Sequence, residues 1–301
     1  MVPYNSPGRL AAFLAGRGLA LKKRYGQNFL VNPDLRGRII SLLAPKRGDL
    51  VWEIGAGLGC MSAAILGAGA VLRAFEVDRG FAAILKEEFG QTGEGRFALT
   101  EGDALALWPA FREEVPDLVF GNLPYNAAAA LIADFLEKGF IQSRWVFMVQ
   151  KEVAARMAAR PGTKNRSSFS LLCQTFMDVR IRFDVSPAAF YPRPEVFSSV
   201  VELAPRPDAP AILDRGLYLG LLRAVFASRR KTLKNNLLPW AAARGRDAAW
   251  AALLLEAAEL PPGVRGETLS AEELARLANA AARAGQTLPA GNHSAARTKG
   301  K

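Results

Sequence analysis

Histidine is all but missing from this 301-residue chain: one occurs, His293, in a polar stretch near the carboxyl end. Chemistry that needs imidazole, whether a His-based nucleophile triad or a His-ligated metal, has almost nothing to work with, and no bound metal is expected. Cysteine is nearly as scarce. Cys60 and Cys173 stand far apart without ligand spacing and read as small buried apolar residues. Long apolar runs are also lacking. No window nears the roughly 20 residues that cross a bilayer. The run Leu10-Ala11-Ala12-Phe13-Leu14-Ala15 is too short for a signal peptide, with Arg17 close behind. A cytoplasmic protein that does not engage a membrane is the expectation. Negative charge is in deficit: 28 acidic residues face 39 basic ones, a net +11. Such an excess favours a polyanion, bound through phosphates with release of counterions.

What is present is an alternation. Half of the residues are apolar, enough for a substantial core. Five β-rich runs recur with helical spacing between them: Leu50–Ile54, Ala70–Val77, Arg96–Thr100, Leu118–Phe120 and Arg144–Gln150. They are apolar almost without interruption, as strands covered on both faces are. The stretches 60–67 and 79–89 have helical spacing, and the order strand, helix, strand predicts an α/β, doubly wound parallel sheet. Val179–Phe183 and Ser199–Leu203 alternate more clearly and are expected to add antiparallel strands. The Pro-rich stretch Ala204–Pro210 is the best boundary, giving a first domain over 1–205 and a smaller all-helical one over 206–285. Leu217 to about Ala284 reads as helical throughout, and 286–301 as a disordered tail.

In a doubly wound sheet the ligand lies beyond the carboxyl ends of the strands. Gly55, Glu76, Asp103 and Asn122 all fall there. Glu53-Ile54-Gly55-Ala56-Gly57-Leu58-Gly59 lets the backbone approach a ligand closely. By itself this loop suits a dinucleotide or S-adenosylmethionine equally. Glu76 can accept from ribose hydroxyls and Asp103 from an adenine amine, which also suits either cofactor. Glu53 favours a cationic sulfonium over a pyrophosphate, against a plainer capping or salt-bridge role. The fourth strand end separates the two. Hydride transfer needs a partner for the reacting oxygen. Here Asn122-Leu123-Pro124-Tyr125 offers an amide that can accept from an exocyclic amine, a proline that stiffens the turn, and an aromatic face for a base. Read alone these four residues are as easily an ordinary turn; beside a donor pocket they point to modification of an amino group on a base held outside its helix.

The ordered combination resembles one family. Lys22-Lys23-Arg24-Tyr25-Gly26-Gln27-Asn28-Phe29-Leu30, the Gly55 loop, Gly102-Asp103-Ala104, Gly121–Asn126, Gln150–Val153, Phe190–Val196 and Phe226–Leu233 look like the small-subunit ribosomal RNA adenine N6,N6-dimethyltransferases, over roughly residues 20–240. The resemblance implies a Rossmann-like class I methyltransferase domain and a small helical C-terminal domain. It implies methyl transfer from S-adenosyl-L-methionine to two adjacent adenosines near the 3′ end of small-subunit rRNA, within an assembling subunit, by a monomer. It places Asn28 and Leu30 beside the cofactor with Gln27 near, Gly55 at the methionine portion, Glu76 at the ribose, Asp103 at the adenine and Asn122 between cofactor and target amine. Leu123, Pro124 and Tyr125 complete the catalytic segment, with Phe190 or Tyr191 expected on the far face of the base. Two stretches depart from the family pattern, Ala127–Ala130 and Arg166–Ser170, and both bear on how the target is seated.

No acidic residue lies between Arg223 and Arg246, a stretch that also holds Arg229, Arg230, Lys231, Lys234 and Arg244. Arg229, Arg230 and Lys231 are the expected RNA-binding residues, against the plainer reading of a solvated basic helix face. Alternatives from other classes are a large-subunit rRNA adenine methyltransferase conferring antibiotic resistance, a non-catalytic RNA-binding factor, and a nicotinamide oxidoreductase.

Overall fold

The structure, a computed structural model, describes residues 2–22, 26–125 and 127–286. Lys23, Arg24, Tyr25, Asn126, His293 and residues 287–301 of the expected tail lie outside the described residues. The described chain forms two compact units. The first takes in 2–159 and 172–209, the second 160–171 and 210–286.

The first unit is built on a seven-stranded sheet. Its strands are β2 (Leu50–Ile54), β3 (Val71–Glu76), β4 (Phe97–Glu101), β5 (Leu118–Asn122), β6 (Arg144–Gln150), β7 (Met177–Val185) and β9 (Ser198–Pro205), in the order β4-β3-β2-β5-β6-β9-β7. The first five in that order run parallel, and β9 and β7 are antiparallel additions. The five apolar runs are these parallel strands. The two alternating segments lie in β7, where residues 180–182 are exposed, and in β9, which is largely buried. β4 and β7 are the two edges, and β7 carries a register shift between Ile181 and Phe183 and exposed Arg180 and Arg182, features that discourage pairing with another chain.

Alternate residues of each strand enter different layers of the core. Val51, Leu72, Phe120, Val146 and Met148 pack in one cluster with Ile39, Leu43, Met61 and Ile65. Trp52 and Trp145, next to them in sequence, point to the other face: Trp52 stacks on Phe140 at 5.1 Å and also meets Phe75, and Trp145 meets Phe135. Burial on both faces is why these strands read as unbroken apolar runs.

Helices α1 (Pro7–Gly16), α2 (Pro33–Leu43), α3 (Cys60–Gly67), α4 (Arg79–Phe89), α5 (Ala104–Leu107), α6 (Ala128–Glu137) and α7 (Lys151–Met157) fall in the first unit, and a helix α8 (Ser168–Phe176) follows. A second small sheet pairs β1 (Phe29–Leu30) with β8 (Phe190–Tyr191). Two-residue strands carry no periodicity, and nothing in the sequence announced them.

The second unit contains α9 (Arg215–Val225), α10 (Leu233–Ala242), α11 (Ala248–Ala257) and α12 (Ala271–Gln286). The region read as helical throughout is therefore broken at 226–232, 243–247 and 258–270, since N-caps at Thr232 and Asp247 restart the helices. The segment 160–171, expected within the first domain, packs with this unit instead. Gly162 N donates to Glu267 O at 2.8 Å, and the buried Arg166 donates from Nη2 to Leu269 O at 2.8 Å.

Candidate active site

Four parallel strands end in the groups that line a cleft, and backbone geometry explains each. After β2 the chain turns through Gly55, Gly57 and Gly59, at φ 74°, 59° and 87°. A Cβ on Gly59 would lie 2.4 Å from the Phe89 ring, so this position is closed to any side chain. The loop then starts α3. After β3, Asp78 caps α4 by accepting from Gly80 N at 2.9 Å. After β4, Asp103 caps α5 by accepting from Leu105 N at 3.0 Å. After β5, the Pro124 carbonyl accepts from Ala127 N and Ala128 N, both at 3.0 Å, and opens α6. Ala127–Ala130 thus forms the first turn of a helix, where alanine is the most favourable filler.

Two adjoining hollows share Gly55, Val77 and Pro124. One holds Asn28, Leu30, Glu53, Glu76 and Asn122. The other holds Gly102, Asp103, Ala104 and Leu123. Residues expected from distant parts of the sequence to flank one ligand therefore meet along one cleft. Gln27 also lines it, and its side chain is engaged at both ends: Oε1 accepts from Lys22 N at 2.7 Å and Nε2 donates to Asp78 Oδ2 at 3.1 Å.

Glu76 is 5 % exposed, and its two oxygens accept from Gly57 N at 2.7 Å and Asp78 N at 2.8 Å. Each carboxylate oxygen retains a further lone pair for a ligand hydroxyl. Burial raises its pKa, and the backbone hydrogen bonds from Asp78 and Gly57 oppose that rise. Asp78 titrates below its usual range: burial acts to raise it, but Lys22 Nζ at 2.9 Å and Gln27 outweigh that.

Glu53 neither caps a helix nor forms a salt bridge among the described residues. It is 2 % exposed in β2, and Oε2 accepts from Ser62 Oγ at 2.5 Å. Burial pushes its pKa up to about 8, Ser62 opposes this, and the charge of Glu76 adds to it. A buried acid without a cation, at the wall of a cleft, has capacity for a positively charged ligand.

Asn122 is oriented by one bond. Nδ2 donates to the Asn28 carbonyl at 2.8 Å, which turns Oδ1 the other way as an acceptor. Leu123 is buried, and its N–H donates to Met148 O at 3.1 Å, fixing the turn to β6. The Tyr125 hydroxyl shares a 2.9 Å hydrogen bond with Ser198 Oγ at the start of β9. Burial raises the Tyr125 pKa, and Ser198 opposes the rise. Of the two candidates for the far face of the base, Tyr191 is partly exposed and Phe190 is covered. It is 4 % exposed within the cluster of Leu30, Val185 and Val200, because its pairing with Leu30 in the small sheet draws it into the core.

The basic stretch is less uniform than its sequence. Arg229, Arg230 and Lys231 lie in the turn between α9 and α10, not on a helix face. Arg229 pairs with Glu267 through Nη2 at 2.8 Å, whereas Arg230 and Lys231 are exposed. Arg244 lies over the Trp240 ring at 4.0 Å. Sequence reasoning missed Ser62, Glu267 and also Tyr4, whose hydroxyl donates to Leu58 O at 3.0 Å. None stands near its partner in the chain, so no local signal could reveal them. No helix among the described residues is long and apolar enough to cross a membrane.

Comparison with known proteins agrees with the geometry. A family model described as ribosomal RNA adenine dimethylase matches residues 18–273. The ribosomal RNA small subunit methyltransferase A of Treponema pallidum (strain Nichols) is 45% identical over 238 residues, 79% of this chain and 82% of that one. Its counterpart in Treponema denticola is 39% identical over 269 residues, 89% and 92% of the two chains. Among solved structures, a dimethyladenosine transferase from Plasmodium falciparum has a TM-score of 0.69 at 24% identity, covering 82% of this chain and 94% of that one. The 23S rRNA methyltransferase ErmE has a TM-score of 0.61 at 20% identity, covering 84% and 98%. At these identities the two structures establish the methyltransferase fold.

Proposed function

The chain belongs to the ribosomal RNA adenine dimethylase family, and from that premise we propose that it dimethylates N6 of two adjacent adenosines near the 3′ end of small-subunit rRNA. The methyl donor is S-adenosylmethionine, which supplies an electrophilic methyl group on a sulfonium centre. The substrate is the rRNA of an assembling small subunit, and the protein acts as a monomer in the cytoplasm.

The residues present fit that donor. The glycine turn leaves a cradle that side chains would fill, Glu53 is a buried acid without a cation, and Glu76 retains lone pairs for ribose hydroxyls. Gly55, Asn28 and Leu30 would hold the methionine side, Glu76 the ribose and Asp103 the adenine.

The observation that carries the reading is the orientation of Asn122. With Nδ2 bound to Asn28 O, Oδ1 is left as an acceptor at a strand end beside the cleft. The N6 lone pair of adenine is delocalised into the purine ring. Accepting an N6–H bond at Asn122 Oδ1, aided by the Leu123 carbonyl, favours a more tetrahedral and more nucleophilic nitrogen. Tyr125, anchored through Ser198, supports the base by stacking. Positioning of this kind supplies much of the rate without a strong base, which suits a chain with a single histidine. After one methylation N6 still carries a hydrogen for the same acceptor, so a second transfer uses the same residues. Arg230 and Lys231, with Arg229 partly occupied by Glu267, grip phosphates while the pocket reads the base.

Incubation with labelled S-adenosylmethionine and unmethylated small subunits, followed by mapping of the label, tests the proposal. Label on two adjacent adenosines near the 3′ end is expected. Label confined to large-subunit rRNA, or none, would sink it.

A further inference from the structure

The family match begins at residue 18, yet the chain before it is built into the cleft. Val2, Leu10 and Leu14 are 3, 1 and 4 % exposed and pack with Val31, Leu58 and Phe81. Tyr4 and Leu10 line the hollow beside Glu53, Cys60 and Met61. The Tyr4 hydroxyl donates to the carbonyl of Leu58, within the glycine turn, at 3.0 Å. Two further contacts hold the segment in place. Arg17 pairs with Glu87 of α4 through Nη2 at 2.9 Å, and Leu19 sits so close to Gly80 that a Cβ there would lie 2.4 Å from it.

We propose that this N-terminal segment is the outer wall of the cofactor cleft and that the Tyr4 phenol contacts the amino-acid end of S-adenosylmethionine. The proposal rests on the functional reading above. Asp103, which takes the adenine in that reading, lines the other hollow, so the hollow of Tyr4, Glu53 and Cys60 receives the opposite end of the ligand. Because its hydrogen is engaged by Leu58 O, the phenol oxygen has only acceptor capacity left. An ammonium, which only donates, is the matching group on the ligand, and Glu53 lines the same wall. Burial and the nearby Cys60, Glu88 and Glu53 push the phenol pKa up, so it stays neutral when the cofactor is bound.

The test compares two ligands. S-adenosylmethionine carries the amino-acid end, and 5′-methylthioadenosine lacks it. Calorimetry on the full chain should show Tyr4→Phe weakening S-adenosylmethionine about three- to tenfold, the loss of one hydrogen bond. Binding of 5′-methylthioadenosine should change by less than about twofold. Tyr4→Ala should weaken S-adenosylmethionine further with the same selectivity; if that variant does not fold, Tyr4→Phe still decides. Equal losses for both ligands, or a lowered melting temperature with both affinities intact, would overturn the contact and leave the segment a packing element. A wild-type protein that binds neither ligand would refute the functional reading itself, a distinct result.

Discussion

Asn122 Nδ2 donates to the backbone carbonyl of Asn28 at 2.8 Å, joining residues 94 apart in the chain. The bond ties the loop before β1 to the end of β5 and decides which atom of the amide is left as an acceptor. Asn122→Ala removes both the tie and the acceptor. Single-turnover methyl transfer is expected to fall by about 10²-fold or more, the scale seen when one preorganised polar group is lost. Asn122→Asp keeps an acceptor but sets an oxygen against the Asn28 carbonyl, and its rate should lie between the two. Full activity of Asn122→Ala with unaltered donor affinity would remove the residue from the mechanism.

Tyr125 and Ser198 are coupled by their hydroxyls at 2.9 Å. Ser198→Ala and Tyr125→Phe each delete the same hydrogen bond, so each should cost about 0.5–1.5 kcal/mol in transition-state stabilisation. The double variant should be no worse than either single one. Tyr125→Ala also removes the stacking face, adding about 1–3 kcal/mol. Additive losses in the double variant would show that the two hydroxyls act separately.

Glu53 makes stability depend on pH with a defined sign. Burial raises its pKa in the folded state to about 8, well above the ordinary carboxylate range. The native state therefore holds a proton that the unfolded chain has released across that interval. Stability from this group is fully present below the unfolded pKa and declines as pH rises towards the folded value. Glu53→Gln, isosteric and neutral, should flatten the decline, with a larger gain in melting temperature near the top of that interval than near its foot. An equal shift at both ends would show that Glu53 is ionised in the fold.

Arg229 is paired with Glu267, whereas Arg230 and Lys231 are exposed in the same turn. Neutralising Arg230 and Lys231 together should lower the slope of log affinity against log salt by about 0.9 for each duplex phosphate they neutralise in the wild type. Arg229→Met should change it less. Glu267→Gln should tighten RNA binding by releasing Arg229. Filter binding of small-subunit rRNA over a salt series measures all three, and an unchanged slope in every variant would mark the turn as mere surface.

The five parallel strands and the helices at 60–67 and 79–89 were legible because each is driven by local pattern. A strand covered on both faces is apolar throughout, and a helix with one face in the core, such as α4 with Phe81, Ala82, Ile84 and Leu85 buried, shows its period. The β1–β8 pair was illegible because two residues carry no period. The breaks within 217–284 were obscured by a composition rich in alanine and leucine, which suit helix interiors and helix ends alike; the restarts are marked by caps at Thr232 and Asp247 and by Ser270, which accepts from Glu273 N at 3.1 Å. The burial of Phe190 was illegible because its strand partner, Leu30, lies far off in the chain.

The sequence by itself determined the alternation of strands and helices, the glycine turn, and the placing of Gly55, Glu76, Asp103 and Asn122 at strand ends, since chain order and apolar burial suffice for these. Only the tertiary structure decided which way the Asn122 amide points, that Glu53 is buried without a cation, that Arg229 is paired with Glu267 and that Tyr4 lines the cleft. Each of those depends on a hydrogen bond, a charge pair or a desolvation made by residues far apart in the chain, and such energies exist only once the backbone has brought the groups together.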